Sequence, residues 1–75
     1  NYPCIDSFIP NVGHFQMTVS LDHPISKKMT DIVKDTGERR IYFVVPQSIY
    51  TTFPLQQIAS EGLHLDQYVL LLPIQ

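Results

Sequence analysis

Three polar residues of this chain stand where a pair of short strands could bring them together. Asp6 lies within Cys4-Ile5-Asp6-Ser7-Phe8-Ile9, and Gln16 and Thr18 alternate within His14-Phe15-Gln16-Met17-Thr18-Val19-Ser20-Leu21. Between them, Pro10-Asn11-Val12-Gly13 reads as a turn. In the second strand Phe15, Met17, Val19 and Leu21 fall on one face, and Gln16, Thr18 and Ser20 on the other. A carboxylate and an amide oxygen are the donors a hard divalent cation accepts. The simpler use of a lone carboxylate beside a turn is as a solvated or hydrogen-bonding residue. The simpler use of a Gln-x-Thr-x-Ser row is as the wet face of a half-buried strand.

Register decides whether the carboxylate and the amide can converge. Directly opposed residues of an antiparallel pair share a face, so a loop with an odd number of residues is needed. A loop of five residues, 9–13, pairs Phe8 with His14 and Asp6 with Gln16. A loop of four would set Asp6 against Met17, on the apolar side.

The elements that must position this hairpin follow along the chain. A helix is expected to begin near Asp22-His23-Pro24, because proline suits a first helical position where its missing N–H would be unpaired anyway. Ile25, Met29, Ile32 and Val33 then form one narrow apolar stripe, and Gly37 suits the left-handed residue that stops a helix. Arg39-Arg40-Ile41-Tyr42-Phe43-Val44-Val45-Pro46 reads as a strand buried on both faces, β-branched and aromatic without alternation. Residues 48–53 suggest one helical turn capped by Ser48, Gly62 marks a turn, and Asp66-Gln67-Tyr68-Val69-Leu70-Leu71-Leu72 is a last apolar strand stopped by Pro73. The expected fold is therefore α/β, a small mixed sheet: antiparallel hairpin, crossover helix, buried strand, short helix and final strand.

Composition narrows the function classes. With 75 residues the chain holds at most one domain, near the lower limit for a self-sufficient core. It starts at Asn1 with strand-like sequence almost at once, so residues 1–75 are expected to be a single partial domain of a longer chain. A net charge of −2 gives no global attraction to nucleic acid or anionic membrane. No apolar run approaches membrane-spanning length. Cys4 is the one cysteine, and His14, His23 and His64 lack metal-site spacing, so no structural zinc motif exists. There is no glycine-rich phosphate loop and no nucleophile with an ordered base. Lys27, Lys28 and Lys34 interleave with Asp31 and Asp35 as the wet side of the helix, Arg39 and Arg40 flank a strand start, and Tyr42, Phe43, Tyr50, Phe53 and Tyr68 suit core and seam positions.

Several segments carry a resemblance to a known family. Tyr2-Pro3-Cys4-Ile5-Asp6-Ser7-Phe8, then Phe15-Gln16-Met17-Thr18-Val19-Ser20 with His23-Pro24-Ile25, resembles the C-terminal region of crinkler effectors and is similar to the related retrotransposon-hot-spot proteins. The second half agrees through Ile41-Tyr42-Phe43-Val44-Val45-Pro46, Phe53, Gln56 or Gln57, and Gln67-Tyr68-Val69-Leu70. The resemblance implies a modular protein delivered into a host cell and acting in its nucleus, with a restriction-endonuclease-like domain of which this chain is a partial core. In that superfamily one strand carries an Asp, and the next carries an acidic or amide residue, any residue, then Lys. Two oxygen-bearing groups hold a divalent metal there, and the Lys orients the attacking water.

Asp6 matches the first position and Gln16 the second, so these two are the implied ligands of a Mg²⁺ ion. Thr18 occupies the Lys position and supplies no charge, which leaves Lys27 or Lys28 as the nearest basic replacements and nucleic-acid contacts. Two readings follow. One is a metal-dependent DNA endonuclease with Asp6, Gln16, Thr18 and Lys27 at its centre. The other is a catalytically degenerate module that binds nucleic acid or a host protein. Upstream domains of the same chain are expected to complete the sheet, and the isolated piece is expected to be unstable or self-associating.

Overall fold

A parallel ladder centred on residues 40–45 organises the chain. The computed structural model describes residues 5–73, the first two by their backbone alone. Strands β1 (Ile5–Ile9), β2 (Gly13–Met17), β3 (Arg40–Val45) and β4 (Asp66–Leu71) form one four-stranded sheet in the order β1-β2-β3-β4. β1 pairs antiparallel with β2, and β2, β3 and β4 run parallel, so the sheet is mixed as expected. Helix α1 (Lys27–Thr36) makes the β2–β3 crossover, and α2 (Gln47–Tyr50) with a long irregular segment makes the next.

The helix begins three residues after Pro24, a correction to the sequence reading. Ile25 is committed elsewhere: it forms a parallel bridge with Ile58, its N–H donating to Gln57 O at 2.8 Å and its carbonyl accepting from Ala59 N–H at 3.0 Å. The cap is Ser26, whose hydroxyl accepts from Met29 N–H at 3.1 Å. At the other end Gly37 has φ 74° and closes the helix through Gly37 N–H to Val33 O, as its position in the sequence suggests. The short helix also starts earlier than expected, capped by Pro46 without a side-chain hydrogen bond from Ser48.

The core lies on one face of the sheet. Ile25, Met29, Val33, Ile41, Phe43, Val45 and Leu65 are buried together, with Ile49, Phe53, Ile58, Leu63 and Val69 packed against them. β3 is therefore covered on one side only: Ile41, Phe43 and Val45 are buried while Arg40, Tyr42 and Val44 are half-exposed. That corrects the expectation of a strand buried on both faces, and it sets the orientation of β2.

Because His14 pairs with Ile41 and Gln16 with Phe43, the polar row of β2 faces inward. His14, Gln16 and Thr18 are buried, whereas Phe15 and Met17 are half-exposed and Val19 and Leu21 are exposed. The wet and dry faces are thus the reverse of what alternation in β2 alone suggests. The reason lies in β3. Its other face carries Arg40, whose guanidinium stays at the surface with Glu38, so Ile41, Phe43 and Val45 take the side covered by α1.

Candidate functional site

The polar row of β2 and the strand beside it make the corner where chemistry was expected. The hairpin closes through Pro10–Val12, with Val12 N–H donating to Ile9 O at 3.0 Å and Asn11 in the left-handed region at φ 67°. The register pairs Phe8 with His14, Asp6 with Gln16 and Ile5 with Met17. Asp6 is thus directly opposed to Gln16, the arrangement that lets the two share a face. The side chain of Asp6, and with it the Asp6–Lys27 separation, falls outside the described residues.

Gln16 is 6% exposed, and its Oε1 is the one buried side-chain oxygen with no hydrogen-bond partner among the described residues. A buried acceptor left unsatisfied costs about 1–3 kcal/mol, so its place on the inward face calls for a reason. Thr18, 5% exposed, is occupied locally: its Oγ1 accepts from Ser20 N–H at 3.1 Å, a turn that ends the strand. Lys27 is exposed, and its Nζ binds Asp31 Oδ1 at 3.2 Å across one helical turn. Lys28 is also exposed, on the outer surface of the helix beside Asp31, Ile32 and Asp35. The structure therefore brings the positions of Asp6 and Gln16 together and leaves Thr18, Lys27 and Lys28 engaged elsewhere or in solvent. Among the described residues no three His, Cys, Asp or Glu side chains gather closely enough to hold a metal ion, and no helix is long and apolar enough to cross a membrane.

His14 is the neighbour that sequence reasoning set aside. It stacks on Phe8 at 4.7 Å, and its Nε2 lies 3.0 Å from Thr36 Oγ1 at the end of α1. Burial pushes its pKa below the ordinary imidazole value, against a smaller opposing pull from the Glu38 backbone and carboxylate. A shallow recess lined by Ser7, Phe8, His14, Met29 and Ile32 opens on this side. Next to it Arg40 grips Glu38 through Nε–Oε2 and Nη2–Oε1, both 2.8 Å, and reaches Asn11 O with Nη2 at 3.0 Å. That grip holds the Glu38 carboxyl down to about 2.

Gln56 and Gln67, also missed as structural residues, hold the far side of the fold. Gln56 Oε1 accepts from His23 N–H at 2.6 Å, while its Nε2 donates to Leu21 O at 3.0 Å and Pro54 O at 2.9 Å. Gln67 answers both backbone groups of Gln56, accepting from its N–H at 2.9 Å and donating to its carbonyl at 3.0 Å. Both amides sit in the segments that carry the family resemblance, and their hydrogen bonds give them a structural reason to be there.

The chain is similar to crinkler effectors. Crinkler effector protein 15 and crinkler effector protein 16 of Phytophthora infestans are each 33% identical to it over 75 residues. The match covers 97% of this chain and 12% of each relative, so the chain spans a small part of the length of the curated relatives it matches. No family model and no solved structure matches it. The relation to crinkler effectors expected from the hairpin and the Ile41–Pro46 strand is supported by these two proteins.

Proposed function

We propose that this chain is a piece of a crinkler-type effector in which the β1–β2 hairpin forms the metal corner of a restriction-endonuclease-like domain acting on DNA. The observation that carries the reading is the buried Oε1 of Gln16, without a hydrogen-bond partner among the described residues and directly opposite the position of Asp6. An oxygen stripped of water with no donor to meet is a fitting ligand for a hard cation, and a carboxylate at the opposed position would supply the charge. Asp6 and Gln16 are accordingly the residues that would hold Mg²⁺. Such an ion, when bound, polarises a phosphate and acidifies its bound water.

The chain's own residues do the rest of the positioning. β3 fixes β2 from one side, so the Gln16 amide is held inward beside Phe43. Thr36 and His14 pin the start of the strand to α1. No described lysine is free at the hairpin: Lys27 is paired with Asp31, and Thr18 closes its own turn. In this reading the cation that a nuclease sets beside its attacking water comes from another part of a longer protein. Delivery to a host cell and action in its nucleus belong to the same proposal.

The engagement of Thr18 and Lys27 favours a second reading, a catalytically silent module that binds nucleic acid or a host protein. The two separate in one experiment on the full-length protein. DNA cleavage is followed with Mg²⁺ or Mn²⁺ for the wild type, Asp6→Ala and Gln16→Leu. The nuclease reading expects activity in the wild type and a loss of at least about 100-fold in Asp6→Ala. Equal activity in wild type and Asp6→Ala removes Asp6 from the mechanism. No cleavage in the wild type, with DNA retained, establishes the binding module.

A further inference from the structure

Beyond the Arg40–Glu38 pair, the second face of the sheet is apolar and is left uncovered by the described residues, and the topology explains why. Three parallel strands follow one another in spatial order, β2, β3, β4. Right-handed crossovers that progress in a single direction fall on a single side of a sheet. Burial bears this out: Met29 and Val33 of α1, Ile49 of α2, and Phe53, Ile58, Leu63 and Leu65 of the β3–β4 connection all pack on the Ile41–Phe43–Val45 side. None of the described elements reaches the other face.

That face is built as a contact surface. The register aligns Ser7, Phe15, Tyr42 and Tyr68 in one row, and Met17, Val44 and Leu70 in the next. Phe15 stacks on Tyr42 at 4.9 Å with a 16° tilt, and Tyr42 on Tyr68 at 5.0 Å with a 20° tilt. The rings use their flat faces against each other across the strands, so Tyr42 is stacked on both sides and the row forms one continuous apolar ridge. Tyr68 is 47% exposed and Leu70 39%. No charged residue interrupts either row.

We propose that this face is the seat of an amphipathic helix from the part of a longer polypeptide that lies outside these 75 residues. The strip β2–β3–β4 is parallel, and all-parallel sheets are covered on both faces; three strands wide, about 10–15 Å across, the strip matches the width of one helix with an apolar stripe. The matched stretch is 12% of each crinkler relative, which leaves ample chain to supply the element. An element of the same polypeptide is also favoured by its high effective concentration over a separate partner. This inference is independent of the metal reading and survives its failure.

The test uses the full-length protein with a photo-reactive phenylalanine analogue, p-benzoylphenylalanine, in place of Tyr68. After irradiation, peptides joined to position 68 are identified by mass spectrometry. The expected result is a cross-link within one chain to an apolar, helical segment outside residues 1–75, unchanged by tenfold dilution. Cross-links between two copies, cross-links to a different protein alone, or none would each overturn the proposal. A second measurement guards against misfolding of that variant. In a Cys4→Ser background, Val44→Cys is expected to react with a maleimide at least about tenfold more slowly than Lys28→Cys. Equal rates in a folded protein would overturn it as well.

Discussion

His14 Nε2 and Thr36 Oγ1 stand 3.0 Å apart, joining the first residues of β2 to the last residue of α1. The Thr36 hydroxyl donates to Val33 O at 3.3 Å and accepts from Glu38 N–H at 3.2 Å. This contact ties the buried imidazole to the end of the helix. Thr36→Val removes the hydroxyl partner of a buried ring nitrogen. A loss of about 1–2 kcal/mol is expected from urea unfolding, while Thr36→Ser, which keeps the hydroxyl, stays near wild type.

The same ring makes stability sensitive to mild acid. Burial lowers the His14 pKa below its unfolded value of 6.5, so the unfolded chain binds the proton more readily. The neutral ring's contribution is fully present above pH 6.5 and is lost as pH falls through that value toward the folded pKa. The melting temperature is expected to drop between pH 7 and pH 5. In His14→Gln that part of the slope should disappear, and an unchanged slope would show that other groups cause it.

A second acid-sensitive group acts in a separate window. Glu38 is held at about 2 against an ordinary 4.5, chiefly by the hydrogen bonds from Arg40. Its folded pKa is the lower one, so its contribution is present above pH 4.5 and is lost as pH falls toward 2. Glu38→Gln should flatten the melting profile below pH 4.5 and leave the His14 window in place. Because Arg40 also holds Asn11 O, the variant should in addition raise amide exchange at the hairpin turn.

Elements whose signals are local were legible in the sequence. Gly37 stops α1 as its type requires, and an odd loop brings Asp6 opposite Gln16. What could not be read locally was decided by partners distant in the chain. Pro24 looked like a helix start until Ile25 was claimed by Ile58, a contact between segments far apart in sequence. The alternation of β2 gave the period correctly but not the side, because Ile41 and Phe43 choose which face turns inward. The hydrogen bonds of Gln56 and Gln67 leave no periodic trace at all, since a buried amide that satisfies backbone groups looks like any polar loop residue.

Gly13 is a position where a single methyl group should be felt. A Cβ built there would lie 2.6 Å from Cε2 of Tyr42 and 2.9 Å from the carbonyl oxygen of Arg40. The ring could shift, but the β3 backbone cannot move without disturbing the ladder. Gly13→Ala is expected to cost about 1–3 kcal/mol and to perturb the Phe15–Tyr42–Tyr68 stack, which near-ultraviolet circular dichroism reads directly. A wild-type spectrum and melting point would mean that the hairpin adjusts instead.

Gln16 offers the sharpest separation between a site and an accident of packing. Its Oε1, unpartnered among the described residues, lowers stability in the absence of a ligand, so Gln16→Leu, similar in size and apolar, should be more stable than wild type by about 1–3 kcal/mol in chelator. A cation that binds the folded state stabilises it by RT ln(1 + [L]/Kd), about 2.7 kcal/mol at a hundredfold excess over Kd. With saturating Mg²⁺ the wild type is therefore expected to gain stability and Gln16→Leu to gain none, which narrows or reverses their order. Asp6→Ala should likewise lose the Mg²⁺ response. If the wild type gains nothing from Mg²⁺ or Mn²⁺ while the leucine variant is stabler throughout, the orphaned oxygen serves no metal. The β1–β2 hairpin is then a structural corner, and the binding-module reading takes its place.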